Sequence, residues 1–222
     1  MDTAFDIAAH LEPYRSAPPS ELTGAMRDFG LKPVGKVLDL GWGNASSALA
    51  AEGWRAEIVH PSQGTQIPGP AGAYDAAIAS DVLHLLDQPA VLAELRRVVK
   101  PGGLIVAGWR VLPQDSDLLA LRGAASRAAG LPPVPEPLRG GFRAFYGAEF
   151  PETTIRIIPN TLRITVADWL SYELTRPEVA AELGANAQRW HDALARAFAE
   201  KFASPNVTID ARLHYYAYLA RT

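Results

Sequence analysis

The stretch that decides the fold is residues 74–108, YDAAIASDVLHLLDQPAVLAELRRVVKPGGLIVAG. It opens on an apolar run, "YDAAIAS" (74–80), of the length and character of a strand buried on both faces. Over 88–100 it turns amphipathic, with Val91, Leu92, Leu95, Val98 and Val99 recurring at the helical period. "PGG" (101–103) stops that helix, and "LIVAGW" (104–109) is an apolar strand again. Strand, crossover helix and strand make a parallel βαβ unit.

Working outward, "VLDLGWGNASSALA" (37–50) repeats the arrangement with a glycine turn. "KVLDL" (36–40) reads as a buried strand, "NASSALAAEG" (44–53) as a helix with an Asn or Ser cap, and "WRAEIVH" (54–60) as the next strand. Before them, "SELTGAMRDFG" (20–30) is a helix with Ser20 as its N-cap and Gly30 as its stop. After Trp109 the pattern changes. Residues 110–150 are rich in Pro, Gly and Arg around one helix (115–130), which reads as a cap over the carboxyl edge of the sheet. A strand (153–159), helices at 166–174 and 176–203, and an alternating strand (207–220) complete the chain. The expectation is an α/β fold, a doubly wound, mostly parallel sheet in one domain (1–222) with a helix-plus-loop cap at roughly 110–150.

Composition narrows the function. The chain has 222 residues, 48% hydrophobic and 20% charged, with a formal net charge of -3. It has no basic block, so nucleic acid is not an expected partner. No apolar run approaches the ~18 residues of a membrane span, and "MDTAFDIAAHLEPYRSAPP" lacks the pattern of a signal peptide; a cytoplasmic protein that does not engage membranes is expected. The absence of cysteine excludes disulfides and thiolate chemistry. The five histidines are scattered, and no metal site is expected.

Two blocks together carry a family resemblance. "PYRSAPPSELTGAM…KVLDLGWGN" and the 74–108 block, with its Tyr-Asp strand, Ser-Asp-x-Leu-His turn, helix and Lys-Pro-Gly-Gly, resemble class I S-adenosylmethionine (SAM) dependent methyltransferases. The resemblance implies a methyltransferase Rossmann-like fold, with the methionine end of SAM over the turn Asp39–Ala45. If SAM is retained, Asp39, Gly41, Gly43 and Ser80 are the binding residues it implies.

Four features depart from that pattern. Trp42 stands in the glycine turn where a small residue is usual, and Ala45 replaces a third glycine. His60 stands where the family ends its second strand with a carboxylate for the ribose hydroxyls; imidazole offers one acceptor in place of two charged oxygens. Only thirteen residues, Pro61–Ala73, join His60 to the strand at Tyr74. The family uses this interval for a helix, a third strand and an adenine-binding loop. A single parallel crossover takes about a dozen residues, so two crossovers and a strand do not fit. The expectation is a sheet lacking one strand and helix together with the adenine-binding loop, with either the second or the third family strand deleted.

From these departures the leading reading is a degenerate member without a cofactor: a cyclase resembling methyltransferase-like pericyclases, acting on a hydrophobic polyene or polyketide intermediate in natural-product biosynthesis. Its expected catalytic groups are Asp81, His60 and Tyr14. Its expected substrate-binding residues are Trp42, His84, Trp109, Phe142, Arg143, Phe145, Tyr146, Trp169 and Tyr172. Asp81 is equally suited to capping the turn after its strand, and His84 to a structural role. Two alternatives stand beside this reading: a SAM-dependent methyltransferase of a small molecule, and a non-catalytic pseudoenzyme. The expected partner is a hydrophobic small molecule, and a homodimer is allowed for.

Overall fold

The computed structural model describes residues 18–32, 35–41, 43, 45–60, 66–83, 86, 88–136 and 150–222. Its elements in chain order are α1 (Glu21–Asp28), β1 (Lys36–Leu40), α2 (Ser46–Ala51), β2 (Arg55–Val59), β3 (Tyr74–Ser80), α3 (Gln88–Val98), β4 (Val99–Val111), α4 (Asp117–Ala129), β5 (Glu152–Thr165), α5 (Val166–Thr175), α6 (Pro177–Leu183), α7 (Ala187–Lys201) and β6 (Thr208–Arg221). The strands form a six-stranded sheet in the order β2-β1-β3-β4-β6-β5. The first four are parallel, and β6 runs antiparallel to β4. This is the mixed, mostly parallel, methyltransferase Rossmann-like sheet that the sequence implies.

The described residues form two compact units, one of residues 18–111 with 150–160 and 214–222, and one of residues 112–136 with 161–213. In the first, successive residues of the central strands alternate between two cores. Leu38, Ala77, Ile105 and Ala107 meet Val91, Leu95 and Val98 of α3 on one face. Val37, Ala76, Ile78 and Val106 meet Leu22 and Met26 of α1 and Leu49 of α2 on the other. Both faces are buried, which is why these strands read as continuous apolar runs.

The second unit has its own core of α4, α5 and α7 side chains, including Trp169, Trp190 and Phe198. Ser116 caps α4 by accepting from the Leu118 N–H at 3.2 Å, and Thr165 caps α5 by accepting from the Asp168 N–H at 3.1 Å. A buried ionic cluster ties the helices together. Arg122 donates to Glu173 (Nε–Oε1 2.8 Å) and to Glu136, and Arg176 donates to Glu173 at 3.3 Å.

Several local expectations change. Residues 176–203 are two helices joined by a 3₁₀ turn, because Gly184 at φ 51° breaks the α-helical path. β5 continues past Pro159 to Thr165. It lies at the sheet's edge, where a missing backbone N–H is tolerated. β4 begins at Val99, ahead of the Pro-Gly-Gly segment. Tyr74 pairs with Val99 and Ala76 with Leu104, so Lys100–Gly103 bulge opposite Asp75. Ser20 makes no side-chain cap to α1. Among the described residues no helix is long and apolar enough to cross a membrane.

Candidate active site

The glycine turn after β1 is built around a buried carboxylate. Asp39 is 2% exposed. Its Oδ2 accepts from the Ala45 N–H at 3.1 Å and from the Ser46 hydroxyl at 2.9 Å, so the first residues after the turn are clamped to the strand. Burial pushes its pKa up, opposed by those hydrogen bonds and by nearby His60. Among the described residues no Lys or Arg forms an ion pair with it. Ser46 therefore serves Asp39 and does not cap α2, where Ala45 holds the N-cap position without a side-chain cap. Gly43 has φ +83°, a left-handed conformation that favours glycine, and a Cβ there would come within 2.6 Å of Ile58 Cδ1. The Gly41 N–H donates to the Val59 carbonyl at 3.0 Å, which locks the turn to the end of β2.

A second cluster sits at the ends of β3 and β4. Asp81 is a non-glycine residue at φ 54°. Its N–H donates to the Gly108 carbonyl at 2.8 Å. Its carboxylate accepts from the Arg110 N–H at 2.9 Å and from the Arg110 guanidinium. Arg110 Nε reaches Asn160 Oδ1 at 3.2 Å. The Tyr215 hydroxyl donates to Ser80 Oγ at 3.0 Å, and Ser80 donates to Asp81 Oδ2 at 3.2 Å. Burial, followed by the charge of Asp81, pushes the Tyr215 phenol well above its ordinary value, so it stays a protonated donor. The direction of the relay follows: Tyr215 to Ser80 to Asp81.

Among the sequence-derived candidates, Asp39, Gly41, Gly43, His60, Ser80 and Asp81 thus lie at the carboxyl ends of neighbouring parallel strands, where ligands of doubly wound sheets bind. His60 follows β2 and is exposed. Trp109, 1% exposed, belongs to the core on the α3 face of the sheet. Trp169 packs in the core of the other unit, 5.7 Å from the Tyr172 ring. Tyr14, Trp42, His84, Phe142, Arg143, Phe145 and Tyr146 lie outside the described residues. Tyr215, Arg110 and Asn160 are absent from the sequence-derived set. "HYYAY" (214–218) reads as sheet packing from its alternation, and only its pairing with β4 brings Tyr215 to Ser80.

Residues 43–107 match the family model for a methyltransferase domain. The fold is that of a methyltransferase. A protein from Anaeromyxobacter dehalogenans, provisionally assigned as a type II methyltransferase, is 23% identical over 93% of this chain and 97% of its own, with a TM-score of 0.66. A provisionally assigned methyltransferase from an antibiotic biosynthesis pathway of Anabaena variabilis is 17% identical, covers 91% of this chain and 98% of its own, and gives a TM-score of 0.53. A SAM-dependent methyltransferase from Geobacter sulfurreducens, solved with S-adenosylhomocysteine, is 15% identical over 94% of this chain and 93% of its own, with a TM-score of 0.46. No curated protein matches.

The methyltransferase-domain match overturns the cofactor-independent cyclase reading, and with it the expectation of no cofactor and the likeness to pericyclases. The physical reason lies in the first turn. The strand before that turn and the helix after it are both formed, and Asp39 clamps Ala45 and Ser46 to the strand end.

Proposed function

We propose that this chain is a SAM-dependent methyltransferase acting on a small molecule. The observation that carries the reading is Asp39. A carboxylate buried beside a glycine turn, with only neutral hydrogen-bond donors and no Lys or Arg paired to it among the described residues, is suited to a cationic ligand. Bound there, SAM would supply a methyl group carried on a positively charged sulfonium. Asp39 would contribute the opposing charge, and Gly41 and Gly43 the close backbone approach. Arg110 holds both oxygens of Asp81, so Asp81 orients the end of β3 and does not act as a free base. Ser80, fixed between Tyr215 and Asp81, presents a set hydroxyl direction at the same strand end.

The test is calorimetric titration with SAM, paired with transfer of labelled methyl from SAM to a panel of small alcohols, amines and carboxylates. Micromolar binding that weakens by about tenfold or more in Asp39→Asn, a loss of roughly one charge-assisted hydrogen bond, supports the reading. Absence of binding at millimolar ligand, in a protein whose thermal unfolding is cooperative, overturns it.

A further inference from the structure

We infer that Tyr215 is a positioning residue of the methyl-donor site, acting across Gly108 on Ser80 and, through Ser80, on the turn at Asp81, a role that rests on the methyltransferase reading above. Asp39 and Ile78 are register partners in a parallel pair, so their side chains share the α2 face of the sheet. Carried two residues on, that register sets Ser80 level with Gly41, on the same face as Asp39. The glycine turn and Ser80 therefore stand side by side at the ends of neighbouring strands. The fit of a ligand lying over them depends on how firmly each end is held. The Gly41 N–H and the Asp39 carboxylate hold the first end.

Tyr215 holds the second end from two strands away. On β6 it is the register partner of Arg110 of β4, yet its hydroxyl passes over β4 and donates to Ser80 Oγ on β3 at 3.0 Å. Gly108, the β4 register partner of Ser80, is the opening that permits this: a Cβ there would lie 1.8 Å from the Tyr215 hydroxyl oxygen. A glycine inside a strand weakens the strand, and the pair it admits is polar in a core shared with Ile78, Val106, Ala217 and Leu219. Phenylalanine and alanine would fill the same volume without burying two hydroxyls, so packing alone does not call for this pair. What the hydroxyls add is direction. Ser80 passes the bond on to Asp81 Oδ2 at 3.2 Å, while the Arg110 N–H holds Asp81 Oδ1 at 2.9 Å. Asp81 thereby keeps φ 54°, a conformation that persists where the surrounding bonds over-determine it. Burial, then the charges of Asp81 and Asp39, keep the Tyr215 phenol protonated, so both carboxylates act on the same buried donor.

The experiment is calorimetry of the full chain with SAM on the wild type, Tyr215→Phe, Ser80→Ala and the double variant, with thermal melts in parallel. Tyr215→Phe keeps the ring and removes only the hydroxyl. Each single variant is expected to weaken SAM binding by about tenfold, the effect of one lost positioning hydrogen bond. The double variant is expected to lose no more than either single, because the two hydroxyls act as one relay. It is also expected to melt within about 3 °C of the wild type, since both polar partners are replaced together by apolar groups of the same shape. A pair that serves stability alone gives the reverse: the melting temperatures of the variants fall and SAM affinity holds. SAM affinity within about twofold of the wild type in both single variants overturns the role, as do losses that add to about a hundredfold in the double variant. If SAM fails to bind the folded wild type, the methyltransferase reading falls instead, and the two failures are distinct.

Discussion

Arg110 closes on Asp81 from two directions: its backbone N–H donates to one carboxylate oxygen at 2.9 Å and its guanidinium to the other. The pair joins the ends of β3 and β4 and holds Asp81 at φ 54°. Loss of the carboxylate and relief of the backbone therefore separate. Asp81→Ala and Asp81→Gly both lose the ion pair, but only alanine keeps the left-handed strain, so Asp81→Gly is expected to be more stable than Asp81→Ala by about 1 kcal/mol. Asp81→Asn keeps an acceptor for the Arg110 N–H without the charge and is expected to cost about 1–3 kcal/mol. Urea unfolding of the three variants measures both differences.

Gly108 and Tyr215 are coupled by space. A Cβ on Gly108 would fall within the volume of the Tyr215 ring and hydroxyl. Gly108→Ala is expected to expel Tyr215 from its bond to Ser80 and to destabilise by roughly 2–4 kcal/mol, as overpacking and a lost buried hydrogen bond combine. Tyr215→Ala opens a cavity on its own. The double variant is expected to be more stable than the sum of the single losses, read as a coupling of about 1–3 kcal/mol in a double-mutant cycle.

Glu94 couples the β2–β3 connection to pH. Arg97, and then the Ile67 N–H, hold its carboxyl down from 4.5 to about 2. A carboxyl lowered on folding adds stability above its ordinary value, and that stability is lost as pH falls toward the folded value. Glu94→Gln is therefore expected to lower the melting temperature at pH 7 and to flatten its decline between pH 4.5 and 2. Thermal melts across that range test the sign.

Arg122 and Glu173 form the central pair of the helical unit, with Glu173 fully buried. Arg122→Ala leaves that carboxylate without its main partner and is expected to cost about 3–5 kcal/mol. Replacing both with apolar residues of similar volume, Arg122→Met with Glu173→Leu, is expected to recover most of the loss. Chemical denaturation of the single and double variants decides it.

Strand β1 and strand β3 coincide with their sequence boundaries, because residues buried on both faces must be apolar throughout and the flanking turns are polar or glycine-rich. β5 is longer than its sequence suggests, since Pro159 is a breaker only where its N–H is needed. The break at Gly184 is similarly hidden, because one glycine in an alanine-rich run stops a helix only when packing favours the turn. The glycine turn, Asp39 and Ser80 stand in recognisable local motifs. Tyr215 and Asn160 do not: they lie 135 and 50 residues from the groups they meet, Ser80 and Arg110.

By itself, the sequence determined the βαβ pattern, the position of the glycine turn, and the shortness of the connection after His60. Each depends on neighbours within a few residues or on chain length. Tertiary structure decided what the short connection means. It draws Ile67 onto α3 through Glu94 and Arg97 and leaves β2 as the sheet's edge, while Asp39 keeps its clamp on Ala45 and Ser46. Chain length limits what can be built between two strands, but the face on which the remaining residues pack is set by long-range contacts that no local pattern records.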